Sequence, residues 1–350
     1  MEQVPVSSTD NPLGLNGFEF VEFTSPDPDA MARQFEQLGF VPSHRHPTKS
    51  ITRYKQGRIN IMLNRDESGR VKEFRNAHGA SASAMAFRVA DPAKAVEWAM
   101  AHGAEATEES DTVIKGIGGS YLYFIPDGAD LYADWAEVPG WREAEAANNV
   151  GLDLLDHLTH NVRRGQMKVW SGFYRTLFGF EEQKYFDIKG KATGLFSQAM
   201  IAPDKAIRIP LNESQDDKSQ IEEFIREYQG EGIQHLALTT PDIFDTVERL
   251  RERGVKLQDT IETYYELVDK RVPGHGEDLT RLRKNRILID GNVGDEGILL
   301  QIFTENMFGP IFFEIIQRKG NEGFGNGNFQ ALFESIELDQ IRRGVIQVDA

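Results

Sequence analysis

The chain contains no cysteine at any of its 350 positions. That absence excludes disulfides, thiolate zinc sites, iron–sulfur clusters and a cysteine nucleophile, so any metal must be held by histidine, carboxylate or carbonyl oxygen. Excess positive charge is lacking too. With 39 basic against 55 acidic residues the net charge is −16, which argues against a non-specific nucleic-acid binder and against attraction to anionic membranes. No apolar run approaches the roughly 20 residues that span a bilayer. The opening MEQVPVSSTDNPLG has neither the basic nor the apolar region of a signal peptide, and a cytoplasmic location is expected. What remains is ordinary for a folded enzyme: 40% hydrophobic and 27% charged residues, in a chain long enough for two or three units.

The chain repeats itself weakly. Phe18–Phe23, an alternating segment, leads into DPDAMARQFEQLGF, an amphipathic helix closed by Gly39-Phe40. Leu158–Val162 leads in the same way into RRGQMKVWSGFYRTLFGF, closed by Gly179-Phe180. Glycine suits both stops because it tolerates the left-handed conformation after a helix. A second pair follows in the same order: residues 83–104 and 233–255 each read as strand, turn and helix. Alternating apolar segments come next, Tyr121–Ile125 and Asp130–Trp135 in one half, Ile298–Phe303 and Ile311–Gln317 in the other. Two homologous halves are therefore expected, residues 12–150 and 151–350, meeting near the alanine-rich helix WREAEAANNVG. The fold class is α+β, each half built of paired βαβββ modules. Such a pattern resembles the vicinal oxygen chelate superfamily, which implies an open barrel curled around a metal.

A metal in such a cup needs ligands on inward strand positions of different strands, and two histidines with one carboxylate suit non-haem Fe(II) and O2. Among eight histidines, His157 and His235 lie on the strand before a helix at matching places in the repeat. Matching the helix ends sets His157 against Gly17 and His235 against Ala84, so only the second half can hold metal. Glu314 stands alone among apolar neighbours in FFEIIQR, a costly burial unless paired, neutralised or bound to a cation. A strand histidine is more often a hydrogen-bonded core residue than a ligand, and Glu314 would equally suit an edge strand facing water. His160 rivals His157. Residues three apart on a strand face opposite ways, so both cannot reach one metal, and spacing does not choose between them.

Long ordered segments carry a closer resemblance: DHLTHNV (156–162), RIPLNE (208–213), KSQIEEF (218–224), EGIQHLAL (231–238), ETYYEL (262–267), LLQIFTE (299–305), GPIFFEIIQRKG (309–320) and GFGNGNFQALFESIE (323–337). These resemble the 4-hydroxyphenylpyruvate dioxygenase family over nearly the whole chain. The resemblance implies His157, His235 and Glu314 as Fe(II) ligands and O2 as cosubstrate. It implies oxidative decarboxylation of 4-hydroxyphenylpyruvate with ring hydroxylation and side-chain migration, giving homogentisate and CO2 in tyrosine and phenylalanine catabolism. Phe303, Phe312, Phe324 and Phe329 would form aromatic walls, with Pro210 and Asn328 also against the substrate. Gln301, Asn212, Gln220, Gln234 and Ser197 would supply neutral hydrogen-bonding groups, which suit a phenol better than a desolvated ion does. Without the resemblance the phenylalanines read as ordinary core and Gln220 as part of a solvated helix face.

The C-terminal GFGNGNFQALFESIELDQIRR reads as a glycine-rich hinge, an Asn328 helix cap and an amphipathic lid helix over the metal mouth. The alternatives are 4-hydroxymandelate synthase, which oxidises the benzylic carbon of the same substrate, a non-catalytic ligand-sequestering protein of the superfamily, and an extradiol ring-cleaving dioxygenase. A homo-oligomer, dimer or tetramer, is expected, and the sequence does not fix the subunit number.

Overall fold

The computed structural model describes residues 11–189, 194–328, 330 and 331. Two eight-stranded mixed sheets form, one in each half of the chain. The first half runs β1 (Phe18–Thr24), α1 (Pro28–Gln37), β2 (Val41–Arg45), β3 (Ile51–Gln56), β4 (Ile59–Asn64), α2 (Gly69–His78), β5 (Ser81–Val89), α3 (Pro92–Ala101), β6 (Val113–Lys115), β7 (Tyr121–Pro126) and β8 (Ala136–Glu137). Its strand order is β6-β7-β5-β1-β4-β3-β2-β8. After α4 (Trp141–Asn148) the second half runs β9 (Leu154–Val162), α5 (Met167–Phe178), β10 (Glu181–Lys189), β11 (Gly194–Ile201), β12 (Arg208–Ser214), α6 (Gln220–Tyr228), β13 (Gly232–Thr239), α7 (Ile243–Glu252), α8 (Glu262–Glu266), α9 (Val268–Arg271), α10 (Leu279–Asn285), β14 (Leu288–Asn292), β15 (Gly297–Phe303) and β16 (Phe312–Lys319). Its order, β10-β11-β12-β9-β13-β16-β15-β14, repeats the run β2-β3-β4-β1-β5 of the first as β10-β11-β12-β9-β13, while the outer strands are arranged differently.

By internal contacts the described residues of Met1–Asn149, Leu155–Leu236 and Asn306–Phe312 make one compact unit, and those of Val150–Leu154, Ala237–Glu305 and Phe313–Ala350 another. No helix among the described residues is long and apolar enough to cross a membrane.

Local chemistry explains the repeat. Asp27, Asp91 and Asp242 cap α1, α3 and α7 by accepting from backbone N–H groups of the first turn, which satisfies donors that have no partner within the helix. Gly179 ends α5 in the left-handed conformation, φ 71°. The connection from strand to helix differs by one residue between the halves, three residues after β1 and four after β9. Helix α5 also runs one residue longer to its closing glycine, so matching helix ends leaves the strands out of step, and Phe18 or Glu19 rather than Gly17 stands level with His157. Neither is an imidazole. Asp130–Trp135 is a turn, not a strand. Asp130 accepts from the Tyr132 N–H, and Tyr132 drops into an apolar cluster with Phe20, Ile51, Met62, Ala86 and Ile125. That cluster fills space in the first half that the second half gives to polar side chains.

Candidate metal centre

β9, β13 and β16 are consecutive in the second sheet, and each presents one polar residue to the same point. His157, His235 and Glu314 are buried, and their ligand atoms all lie within 4.8 Å of one another. Strand alternation settles the rivalry left by the sequence. His160 points the other way, its Nε2 2.7 Å from the Tyr174 hydroxyl of α5, while His157 sits beside His235 with ring centroids 5.5 Å apart.

Each ligand is aimed by a neighbour. His157 Nδ1 donates to Asp156 Oδ2 at 2.8 Å, and Arg208 Nη1 donates to the other oxygen of Asp156 at 3.2 Å. His235 Nδ1 donates to Gln234 Oε1 at 3.0 Å. With both Nδ1 protons committed to acceptors, the lone pair of each ring resides on Nε2. Gln301 Nε2 donates to Glu314 Oε1 at 2.9 Å, Asn328 Nδ2 donates to Gln301 Oε1 at 2.7 Å, and Tyr264 Oη donates to Asn328 Oδ1 at 2.6 Å. Because an ionised carboxylate only accepts, this chain has one consistent direction, and each amide both donates and accepts within it. As an anion with two acceptor oxygens, Glu314 can hold a cation while it accepts from Gln301.

These residues fit a divalent transition metal. Two neutral imidazoles and one carboxylate on one face leave coordination positions for exogenous oxygen ligands. A carboxylate 3% exposed on an apolar strand gains the countercharge that burial demands.

Several other residues singled out in the sequence fall on the same inner face. Phe303 lies opposite Glu314 in the β15–β16 ladder, with Gln301 two residues away on the same side. Phe312 stacks on His235 at 4.8 Å and 19°. Asn212 is the ladder partner of Ser197 on one side and of Asn161 on the other, and Pro210 is two residues along from Asn212. Phe324 is half-buried, with the Arg318 guanidinium 5.9 Å from its ring centre. Gln220 is exposed at the start of α6. Asn328 does not cap a helix as expected: the helix has begun by Asn326, and its side chain is spent on Gln301 and Tyr264. Phe329 and the lid helix beyond residue 331 lie outside the described residues.

Sequence reasoning missed Asp156, Arg208, Tyr264 and Asn161. Asp156 was within reach, since an acid next to a presumed ligand histidine is the usual orienting partner. Arg208 and Tyr264 become neighbours only through the sheet.

Burial pushes the His160 imidazole down to about 3. Below pH 6.5 the unfolded chain takes up a proton that folded His160 refuses. Its stabilising contribution is thus complete above pH 6.5 and declines as pH falls toward 3. By pH 5 the loss from this residue is about 2 kcal/mol. Urea midpoints at pH 7.5 and 5 for the wild type and His160→Gln will show a smaller drop in the variant; equal drops would refute this.

Comparison with known proteins agrees with the geometry. Residues 9–134 match the family model described as hydroxyphenylpyruvate dioxygenase, HPPD, N-terminal. Residues 154–267 match the glyoxalase/bleomycin resistance protein/dioxygenase superfamily. A 4-hydroxyphenylpyruvate dioxygenase of Pseudomonas aeruginosa is 56% identical, covering 96% of this chain and 97% of the relative. This chain belongs to the 4-hydroxyphenylpyruvate dioxygenase family. A Legionella pneumophila protein of the same description is 48% identical over 96% of this chain and 98% of its own length. Hemolysin VllY of Vibrio vulnificus is 54% identical over 96% and 98%. Among solved structures, a triple mutant of 4-hydroxymandelate synthase from Streptomyces coelicolor superposes with a TM-score of 0.80 at 25% identity, covering 94% of this chain and all of that one. Family membership makes the vicinal oxygen chelate architecture of both halves and the buried triad parts of one dioxygenase scaffold.

Proposed function

We propose that the chain is an Fe(II)-dependent 4-hydroxyphenylpyruvate dioxygenase, with chemistry confined to residues 151–350 and residues 12–150 carrying no metal. The observation behind this reading is the buried triad with both imidazoles held in one tautomer, in a chain that matches its relatives over nearly their full length. Bound Fe(II) would supply O2 activation, the one capability that no side chain in the site has.

The protein's share is binding and orientation. Phe303 and Phe312 offer aromatic surface beside the ligand cluster, which suits a benzene ring and keeps water from it. The neutral Asn212–Ser197 pair can donate to and accept from a phenol hydroxyl without a buried charge. Gln301 holds Glu314 in place while its own amide is held by Asn328. The overall change balances with O2 and no separate α-keto acid: the substrate carboxyl leaves as CO2, one atom of O2 enters the new acetate carboxylate and the other the ring hydroxyl.

Anaerobic loading with Fe(II), then addition of O2 and 4-hydroxyphenylpyruvate, is expected to consume one O2 per substrate and yield homogentisate. Hydroxymandelate as product would move the chain to the benzylic chemistry of its structural neighbour. Absence of O2 uptake with bound arylpyruvate would make it a sequestering protein.

A further inference from the structure

Asn161 occupies the last inward position of β9 before the strand ends at Val162. Alternation along β9 puts it on the face of His157, opposite to His160. Its side chain is fully buried, and among the described residues neither the amide nitrogen nor the amide oxygen has a hydrogen-bond partner. Two unmatched polar atoms on one buried residue are unusual, because each forgoes the hydrogen bond it had in water. The register gives the reason a place. Asn161 lies directly beside Asn212, and Asn212 beside Ser197, so three neutral hydrogen-bonding side chains cross adjacent strands in a single row. The row is four residues along β9 from the metal ligand, about 13 Å of strand, a distance suited to the far end of an arylpyruvate anchored at the triad.

We propose that Asn161 is a specificity-determining residue that recognises the para-hydroxyl group of the substrate, accepting from the phenol O–H and donating to its oxygen together with Asn212 and Ser197. This rests on the arylpyruvate reading above. A neutral amide leaves the phenol uncharged, and an arylpyruvate without the hydroxyl leaves the amide as unmatched as it is in the free protein.

The test compares wild type and Asn161→Leu, a variant of similar volume, with 4-hydroxyphenylpyruvate and phenylpyruvate as substrates. Because the amide makes no bond among the described residues, the melting temperature is expected to hold or rise. The kcat/KM for 4-hydroxyphenylpyruvate is expected to fall by about tenfold to a hundredfold, while that for phenylpyruvate stays within about twofold, and calorimetric binding under argon is expected to show the same split. Equal losses with both substrates, or a lowered melting temperature without discrimination, would show a structural amide and overturn the assignment. Wild-type protein that turns over neither arylpyruvate would remove the functional reading itself, and this assignment with it.

Discussion

Glu314→Gln is expected to lower divalent-metal affinity by more than about a hundredfold and to abolish turnover. Altering a residue that only orients a ligand costs about 10–100-fold, and losing a ligand must exceed that. Glu314 is the sole anion of the triad, and Gln keeps its size and its place opposite Phe303, so the variant isolates charge from shape. Its effect on the metal-free protein should run the other way. Without a cation, a carboxylate 3% exposed carries a desolvation cost that a neutral amide does not. Metal-free Glu314→Gln should therefore melt no lower than metal-free wild type. Added Fe(II) or Co(II) should raise the melting temperature of the wild type alone, since a ligand stabilises only a fold that binds it. Equal metal-induced shifts in the two proteins would remove Glu314 from the ligand set.

Gly325→Ala is expected to cut kcat/KM by about a hundredfold, the scale of loss from displacing positioning groups by about 1 Å. A methyl group there would overlap the Gln301 amide, and Gly325 has φ +71°, which disfavours any side chain. Gln301 cannot swing aside, because its nitrogen is bonded to Glu314 and its oxygen to Asn328. Either the chain carrying Asn328 lifts away or Gln301 releases Glu314. Gly274→Ala provides the control: φ is +74° with nothing within 4 Å, so it carries the left-handed backbone strain of about 1–2 kcal/mol without the collision. Kinetics alongside urea unfolding would separate the two. Activity lost equally in both variants would mean that strain, not displacement of Gln301, is responsible.

These two residues mark how far the sequence could be read. Glu314 stood out because a single carboxylate in an apolar strand has few cheap explanations, and His157 and His235 because the duplication set them on matching strands. Choosing His157 over His160 required the family likeness; in the structure one contact, His160 to Tyr174, decides it. The helices ending at Gly39 and Gly179 were legible because capping is local. The turn at 130–135 was not, since its aromatic spacing imitates a strand and only packing against Phe20 and Met62 gives it away. Gln301 was read as facing the metal, but its bond to Glu314 and its hold on Asn328 join residues 13 and 27 positions away. No window of sequence holds such a pair. The α8–α10 stretch escaped notice for another reason: short helices carry too few turns to show a period.

The Asp156–Arg208 contact has a consequence for the order of assembly. Among the charges described around the triad, Asp156 and Glu314 are negative and Arg208 is positive, so the bare cluster carries one negative charge. A carboxylate approaching it would be repelled. A divalent ion reverses the sign and leaves one positive charge, which the single carboxylate of an α-keto acid then neutralises. Among the described charges the site balances when both are present, and that favours filling by metal before acid.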